Sequence, residues 1–284
     1  MLKNTFCHLT SIGLKKEIFF WENQIFSWQD LLAKINAGHG KRQRMPAHLK
    51  CELEDSIQHH AAGNPKYFAD RLTSKELWRL FADFRHRAAY MDIETTGLTD
   101  PDITTIALYD GRCIKCYVNG QNLDQFADDI TRYSLIITFN GKTFDVPIIE
   151  SFLKIKLNQA HIDLRYVLKS LGYSGGLKRC ETQLGIGRGN LTGIDGWFAV
   201  LLWKDYCRNK NIKALETLLS YNIEDVVNLE KLMVMAFNQK ISRLPFLQID
   251  PLPEPGPPEI PFSPDLETID RIRYSSAFSG YNGY

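Results

Sequence analysis

The sequence predicts an α/β domain on a mixed β-sheet covered by helices, preceded by a small helical region and followed by a proline-rich tail. Three observations carry this. The segments AAYMDIETTG, DITTIALYDG and RCIKCYVNG read as consecutive strands, separated by turn signals at Gly97 to Pro101 and at Asp110-Gly111. LDQFADDITRY then reads as a helix, and SLIITFNG as an apolar strand of the buried parallel kind. Helical spacing follows in TFDVPIIESFLK, DLRYVLKSLG, LKRCETQLG, FAVLLWKDYC and the long KALETLLSYNIEDVVNLEKLMVMAF. Three antiparallel strands, a crossover helix, a parallel strand and further helices make that arrangement.

Composition shifts divide the chain into residues 1–85, 86–240 and 241–284. The first zone carries helical patterns in SWQDLLAKI and TSKELWRLFADF, with Phe19, Phe20, Trp21 and Trp28 available to pack on the central domain. The last zone holds proline at 251, 253, 255, 257, 258, 261 and 264, which favours an extended linker, strap or docking arm over helix or central strand. The 284 residues, 44% hydrophobic, suffice for one large domain with appendages or two small ones. A net charge of +1 gives no global attraction for polyanions, so any nucleic-acid affinity must be local. Six scattered cysteines suit a reducing cytoplasm, and the CxxC of Cys113 and Cys116 has no second pair at zinc-site spacing. No apolar run approaches the ~20 residues of a membrane span and no signal segment leads the chain, so a soluble cytoplasmic protein without membrane association is expected.

Asp92 and Glu94 lie two apart on the first strand, so both carboxylates point to one face while Met91 and Ile93 face a core. Like charges so placed repel unless neutralised, and a hard divalent cation does that well; an edge-strand pair in solvent is the alternative. Asp145 follows the apolar strand after the turn NGKTFD, at the strand end where α/β sheets place ligands, and Asn140 shares that edge. Capping the helix through Val146 and Pro147 is compatible with that role. On the long helix, Leu215, Leu218, Leu219, Val226, Leu229 and Met233 form the buried stripe. Asp225 falls on that stripe with Tyr221 four residues before it, whereas Glu224 turns to solvent. A buried unpaired carboxylate is costly, so Asp225 requires a cationic side chain or a metal; a plain Tyr–Asp hydrogen bond is the structural alternative.

DIETTG (92 to 97), NGKTFD (140 to 145) and YNIED (221 to 225) resemble, in order and spacing, the three motifs of the DEDD exonuclease superfamily, which has a ribonuclease-H-like fold. The stretches HIDLRYVLKSLGYSGGLKRCETQLGI and GIDGWFAVLLWKDY look like the bacterial YprB-like exonucleases, and the second motif also resembles that of family B polymerase proofreading domains. The resemblance spans roughly residues 86 to 238. It implies a 3′→5′ exonuclease acting on single-stranded or 3′-frayed DNA or RNA by a two-metal mechanism that releases 5′-mononucleotides. With no histidine after His161, Tyr221 puts the chain in the Tyr branch. The resemblance implies two ions, Mg²⁺ or Mn²⁺, one held by Asp92, Glu94 and Asp225 and the other by Asp92 with Asp145 through water. Tyr221 would orient the attacking water, since a phenol of pKa about 10 is a poor base at neutral pH.

Thr95, Asn140, Lys142 and Lys178 are the expected substrate contacts, with Arg179 and Arg188 as further phosphate clamps or ordinary solvated cations. His161 and Asp163 read as strand-end and capping residues. LTSIGLKKEIFFWENQIFSWQDLL looks like a helix-hairpin-helix unit, which would offer backbone N–H groups to phosphate, with Ser11 where its first glycine usually stands. KRQR at 41 to 44 would extend that track or form a solvated loop. The competing reading is a catalytically weak or inactive nucleic-acid-binding or scaffold protein with the same fold.

Overall fold

The computed structural model describes residues 1–37, 47–244 and 249–279. Strands β1 (Ala88–Thr95), β2 (Ile103–Tyr109), β3 (Ile114–Val118), β4 (Leu135–Thr138) and β5 (Ala160–Asp163) form one sheet in the order β3-β2-β1-β4-β5. β1, β2 and β3 pair antiparallel, and β4 joins β1 and β5 in parallel. This is the expected mixed sheet with a short strand added at its parallel edge. The helices, in chain order, are α1 (Leu14–Glu22), α2 (Trp28–Asn36), α3 (Ala47–Ala61), α4 (Pro65–Ala69), α5 (Phe81–Phe84), α6 (Gln125–Asp129), α7 (Asp145–Leu153), α8 (Leu164–Leu171), α9 (Leu177–Gln183), α10 (Gly196–Asn209), α11 (Ile212–Ser242) and α12 (Leu266–Ser279).

Strand alternation sorts the central residues onto two faces. Ala89, Met91, Ile93, Ile106 and Leu108 pack with Phe126 of α6 and Ile149 of α7. Tyr90, Ala107, Leu135 and Ile137 share the opposite core with Val226, Leu229 and Met233 of α11 and with Val167 and Leu168 of α8. α11 thus lays its apolar stripe across the sheet.

The N-terminal region closes the same core through Phe6, Trp21, Trp28, Phe68 and Trp78. Phe19, expected among them, is 55% exposed, because it falls on the opposite side of α1 from Trp21. TSKELWRLFADF forms a 3₁₀ helix over Ser74–Leu80 before the short α5. Only a 3₁₀ turn (Leu2–Asn4) and bends precede Ser11, which has φ +64°, so no α-helix enters the turn that resembled a hairpin. The KRQR segment lies outside the described residues.

The proline-rich stretch has neither helix nor strand from 251 to 264, as the prolines require. Asn238 of α11 clasps it, donating to the Leu252 carbonyl and accepting from its N–H, both at 2.8 Å. The tail then corrects the reading that it holds no core element: Ile269 and Ile272 of α12 are buried with Leu218, Tyr221, Ile194 and Phe198. Arg271 pairs with Asp205, and Lys213 with Asp265 at 2.9 Å, to fix the helix on α10 and α11. No helix among the described residues is long and apolar enough to cross a membrane.

Candidate active site

β1 supplies the first two acids. It pairs with β4 only as far as Tyr90 and Ile137, so its second half runs past its parallel neighbour. Its register with β2 shifts between Glu94 and Thr95, a local irregularity of the kind that re-aims side chains beside sites. Asp92 is half-buried and Glu94 buried, and both meet Asp225 of α11. One carboxylate oxygen from each of Asp92, Glu94 and Asp225 lies within 4.8 Å of the others, the one group of metal-ligating type among the described residues. Cys113 and Cys116 are free thiols, the first just before β3 and the second on it, and belong to no such group.

Electrostatics reflect the crowding. Burial first, then the charges of Asp225, Asp145 and Glu94, push the Asp92 carboxyl well above the ordinary range. Glu94 is raised by burial and by Asp225. Burial lifts Asp225 to about 6, opposed by Arg188. An oxygen-only donor set of mutually repelling carboxylates fits a hard divalent ion.

Asp145 stands beside this trio rather than in it. It is the first residue of α7, with Phe144 at the cap position, so it does not itself cap the helix. Burial raises it to about 7, while the backbone N–H groups of Asp145 itself and of Ile93, beyond the end of the β1–β4 pairing, favour its charged form.

Tyr221 is buried one turn before Asp225, and Lys178 Nζ lies 4.6 Å from its ring centroid. Burial and the facing carboxylates hold the phenol far above its usual pKa, so it stays neutral. Lys178 also bonds the Ile194 carbonyl, and its pKa is lowered by burial.

Asn222 and Asn228, which the sequence did not single out, and Arg188 organise the surroundings of the acids. Asn222 donates to Asp92 at 2.8 Å and accepts from Thr105 at 3.0 Å, tying α11 to β1 and β2. Arg188, read as a phosphate clamp or a solvated cation, is instead buried as the cation Asp225 required. Its Nε and Nη2 bond Glu181 at 2.5 and 2.7 Å, and Nη2 also reaches Asp225. Asn228 donates to Glu181 as well, at 3.0 Å, and to Glu224, which is half-buried rather than turned to solvent.

The remaining expected contacts diverge. Thr95 commits its hydroxyl to the Gly97 carbonyl at 2.9 Å. Lys142 reaches Ser74 at 3.4 Å, away from the acids, because its turn faces the N-terminal region. Asn140, at φ +67°, takes hydrogen bonds from Thr143 and Arg165. Asp163 caps α8 and accepts from the Asn140 and Lys142 N–H groups, and His161 pairs with Thr138 at 2.8 Å, the structural roles expected of both. Arg179 is exposed.

No curated protein matches the chain. Among solved structures it is similar to the family B DNA polymerase from the hyperthermophilic archaeon Pyrobaculum calidifontis, at 18% identity and a TM-score of 0.41, over 55% of this chain and 24% of that one. The chain therefore spans about a quarter of the polymerase it matches. A family model described as RNase_H_2, RNase_H superfamily, matches residues 89–237. That stretch holds the whole sheet but for Ala88, the first residue of β1, with all four acids and Tyr221, and is just over half of the chain, so the protein belongs to the RNase_H superfamily.

Proposed function

We propose that the protein is a metal-dependent 3′→5′ exonuclease of the DEDD Tyr branch, of the YprB-like group, acting on single-stranded or 3′-frayed DNA or RNA. The observation that carries this is the buried trio of Asp92, Glu94 and Asp225, three carboxylates within ligand distance of one another. Bound there, Mg²⁺ or Mn²⁺ would neutralise phosphate charge and acidify a water. The protein's own groups do the rest. Asp92, Glu94 and Asp225 would form the cation seat, and Asp145 would add a fourth carboxylate that, with Asp92, could hold a second ion. Asn222 fixes the Asp92 carboxylate in place. Tyr221, neutral at any working pH, orients water by hydrogen bonding without taking its proton. Of the four proposed substrate contacts, Lys178 is best supported because it packs on Tyr221; Thr95 follows Glu94 on β1, and Asn140 and Lys142 have least support.

The Asp225–Arg188 ion pair favours a second reading, a nucleic-acid-binding protein without chemistry, because a protein cation already serves Asp225. One assay separates the two. Single-stranded DNA and RNA labelled at the 5′ or the 3′ end are incubated with Mg²⁺ or Mn²⁺. Release of the 3′ label as mononucleotide is expected. Asp92→Ala or Asp225→Ala should lose more than the roughly 10–100-fold that loss of an outer-sphere partner costs. Tyr221→Phe should slow turnover with substrate affinity unchanged. Internal cleavage, or full activity in chelator, overturns the proposal; oligonucleotide bound but intact with both metals carries the second reading.

A further inference from the structure

Between α8, α9 and the end of β4 lies a cleft of about 530 Å³ that is lined by none of the four acids nor by Tyr221 and shares only Asn140 with the contacts proposed above. Its volume falls in the ~300–1,000 Å³ range of small-ligand sites. Phe139, Tyr173, Leu177 and Cys180 make an apolar floor, and Arg165 and Lys169 stand on the rim. The two cations are four residues apart on α8 and so share one face. Neither pairs with a carboxylate among the described residues, and none of the lining residues is acidic. Arg165 is held only by the neutral Asn140 side chain. In a chain with 34 basic and 33 acidic residues, two uncompensated cations over an aromatic floor are a local feature. The Tyr173 hydroxyl donates to Gln239 at 3.1 Å, which pins the ring.

We propose that this cleft binds one nucleotide of a single-stranded chain, its phosphate at Arg165 and Lys169 and its base against Tyr173. The proposal rests on the nuclease reading and names where the strand runs. Basic grooves with aromatic platforms suit single strands, because every base has a face to stack and no complementary strand blocks it. The location fits as well. α9 borders both places: Leu177 and Cys180 face the cleft, Lys178 packs on Tyr221, and Glu181 holds Arg188. The turn from Asn140 to Asp145 joins them from the other side. A strand whose end lies at the carboxylates therefore continues over α9 into the cleft.

The test is fluorescence anisotropy of labelled single-stranded DNA and RNA with the full chain, in chelator, as a function of salt. Arg165 and Lys169 are exposed and helical, so Arg165→Ala/Lys169→Ala should fold as wild type. It should bind at least tenfold more weakly, and its slope of log K against log salt should shrink by about 0.7, the ~0.7 expected for the one phosphate no longer neutralised on a single strand. Tyr173→Ala should weaken binding about tenfold because the base loses its stacking platform, with the salt slope unchanged. If wild type binds and the double variant binds with equal affinity and slope, the cleft is not the site, and the nuclease reading stands. If wild type binds no oligonucleotide with or without Mn²⁺, both readings fall together.

Discussion

Two buried arginines invite comparison. Arg79, in the N-terminal region, meets Glu17 and Glu76 at 2.9 Å each and donates to Thr5 at 3.3 Å, so all three guanidinium nitrogens are engaged. Glu17 in turn accepts the Phe6 and Cys7 N–H groups at 2.6 and 3.1 Å. Arg188 likewise lies between two carboxylates, but its buried Nη1 has no hydrogen-bond partner, and the acid it shares faces Asp92 and Glu94. The first network leaves no guanidinium nitrogen spare, although Glu17 Oε2 meets it through the ion pair alone. The second has a spare donor and surplus negative charge, costs that folding alone would not retain. The same residue types thus separate an anchor from a site by whether the protein itself satisfies them.

The comparison predicts its own failures. Arg79→Met leaves two buried carboxylates without a cation, which typically costs about 3–5 kcal/mol, so the melting temperature should drop by ~10 °C. No divalent ion should restore it. Arg188→Met should be milder, a fall of roughly 3–6 °C in chelator, because Asp225 already tends to hold a proton. Millimolar Mn²⁺ should recover most of that fall, since an ion binding only the native state adds about 2.7 kcal/mol at a hundredfold excess over Kd. Thermal melts of both variants with and without Mn²⁺ check this. Equal rescue of both, or of neither, would make the two networks alike and remove the distinction.

What was legible in the sequence follows from local geometry. Asp92 and Glu94 could be found because carboxylates at i and i+2 interrupt an apolar strand, and Asp225 because it breaks an apolar helical stripe. That reading also demanded a cation for Asp225. Which cation answered was not legible, because Arg188 lies in LGIGRGN, a segment with no periodicity, and its reach is decided by where Glu181 sits in three dimensions. Asn222 lay inside a recognised motif yet read only as spacing, since its bond to Asp92 spans 130 residues. α12 escaped because Ile269 and Ile272 are the only apolar residues buried in its described part, too short a pattern to outweigh the prolines before it. The central strands and the long helices were thus readable, while β5, α12 and the surroundings of the acids were not.

The smallest expected effect, and the sharpest contrast between the two regions, is in pH. Burial and neighbouring charge raise Asp225 from 3.8 to about 6 and Asp145 to about 7. Between pH 4 and 7 the folded protein therefore holds protons that the unfolded chain has released. Their contribution to stability is full below about pH 4 and is lost as pH rises through 6 and 7. His8 in the N-terminal region, and His161 on β5, act in the opposite sense. Burial holds both neutral down to about pH 3, so they add stability as pH rises through 6.5. The acid contribution is isolated by comparing wild type with Asp145→Asn/Asp225→Asn in chelator. From pH 5 to 8 wild type should lose a few °C relative to the variant, at ~2–4 °C per kcal/mol. With Mn²⁺ the sign should invert for wild type alone, because binding requires the deprotonated acids and strengthens as pH rises. Parallel pH curves for the two proteins in chelator would mean that the carboxylates do not crowd one another in the folded state. A relative curve unchanged by Mn²⁺ would mean that they hold no ion.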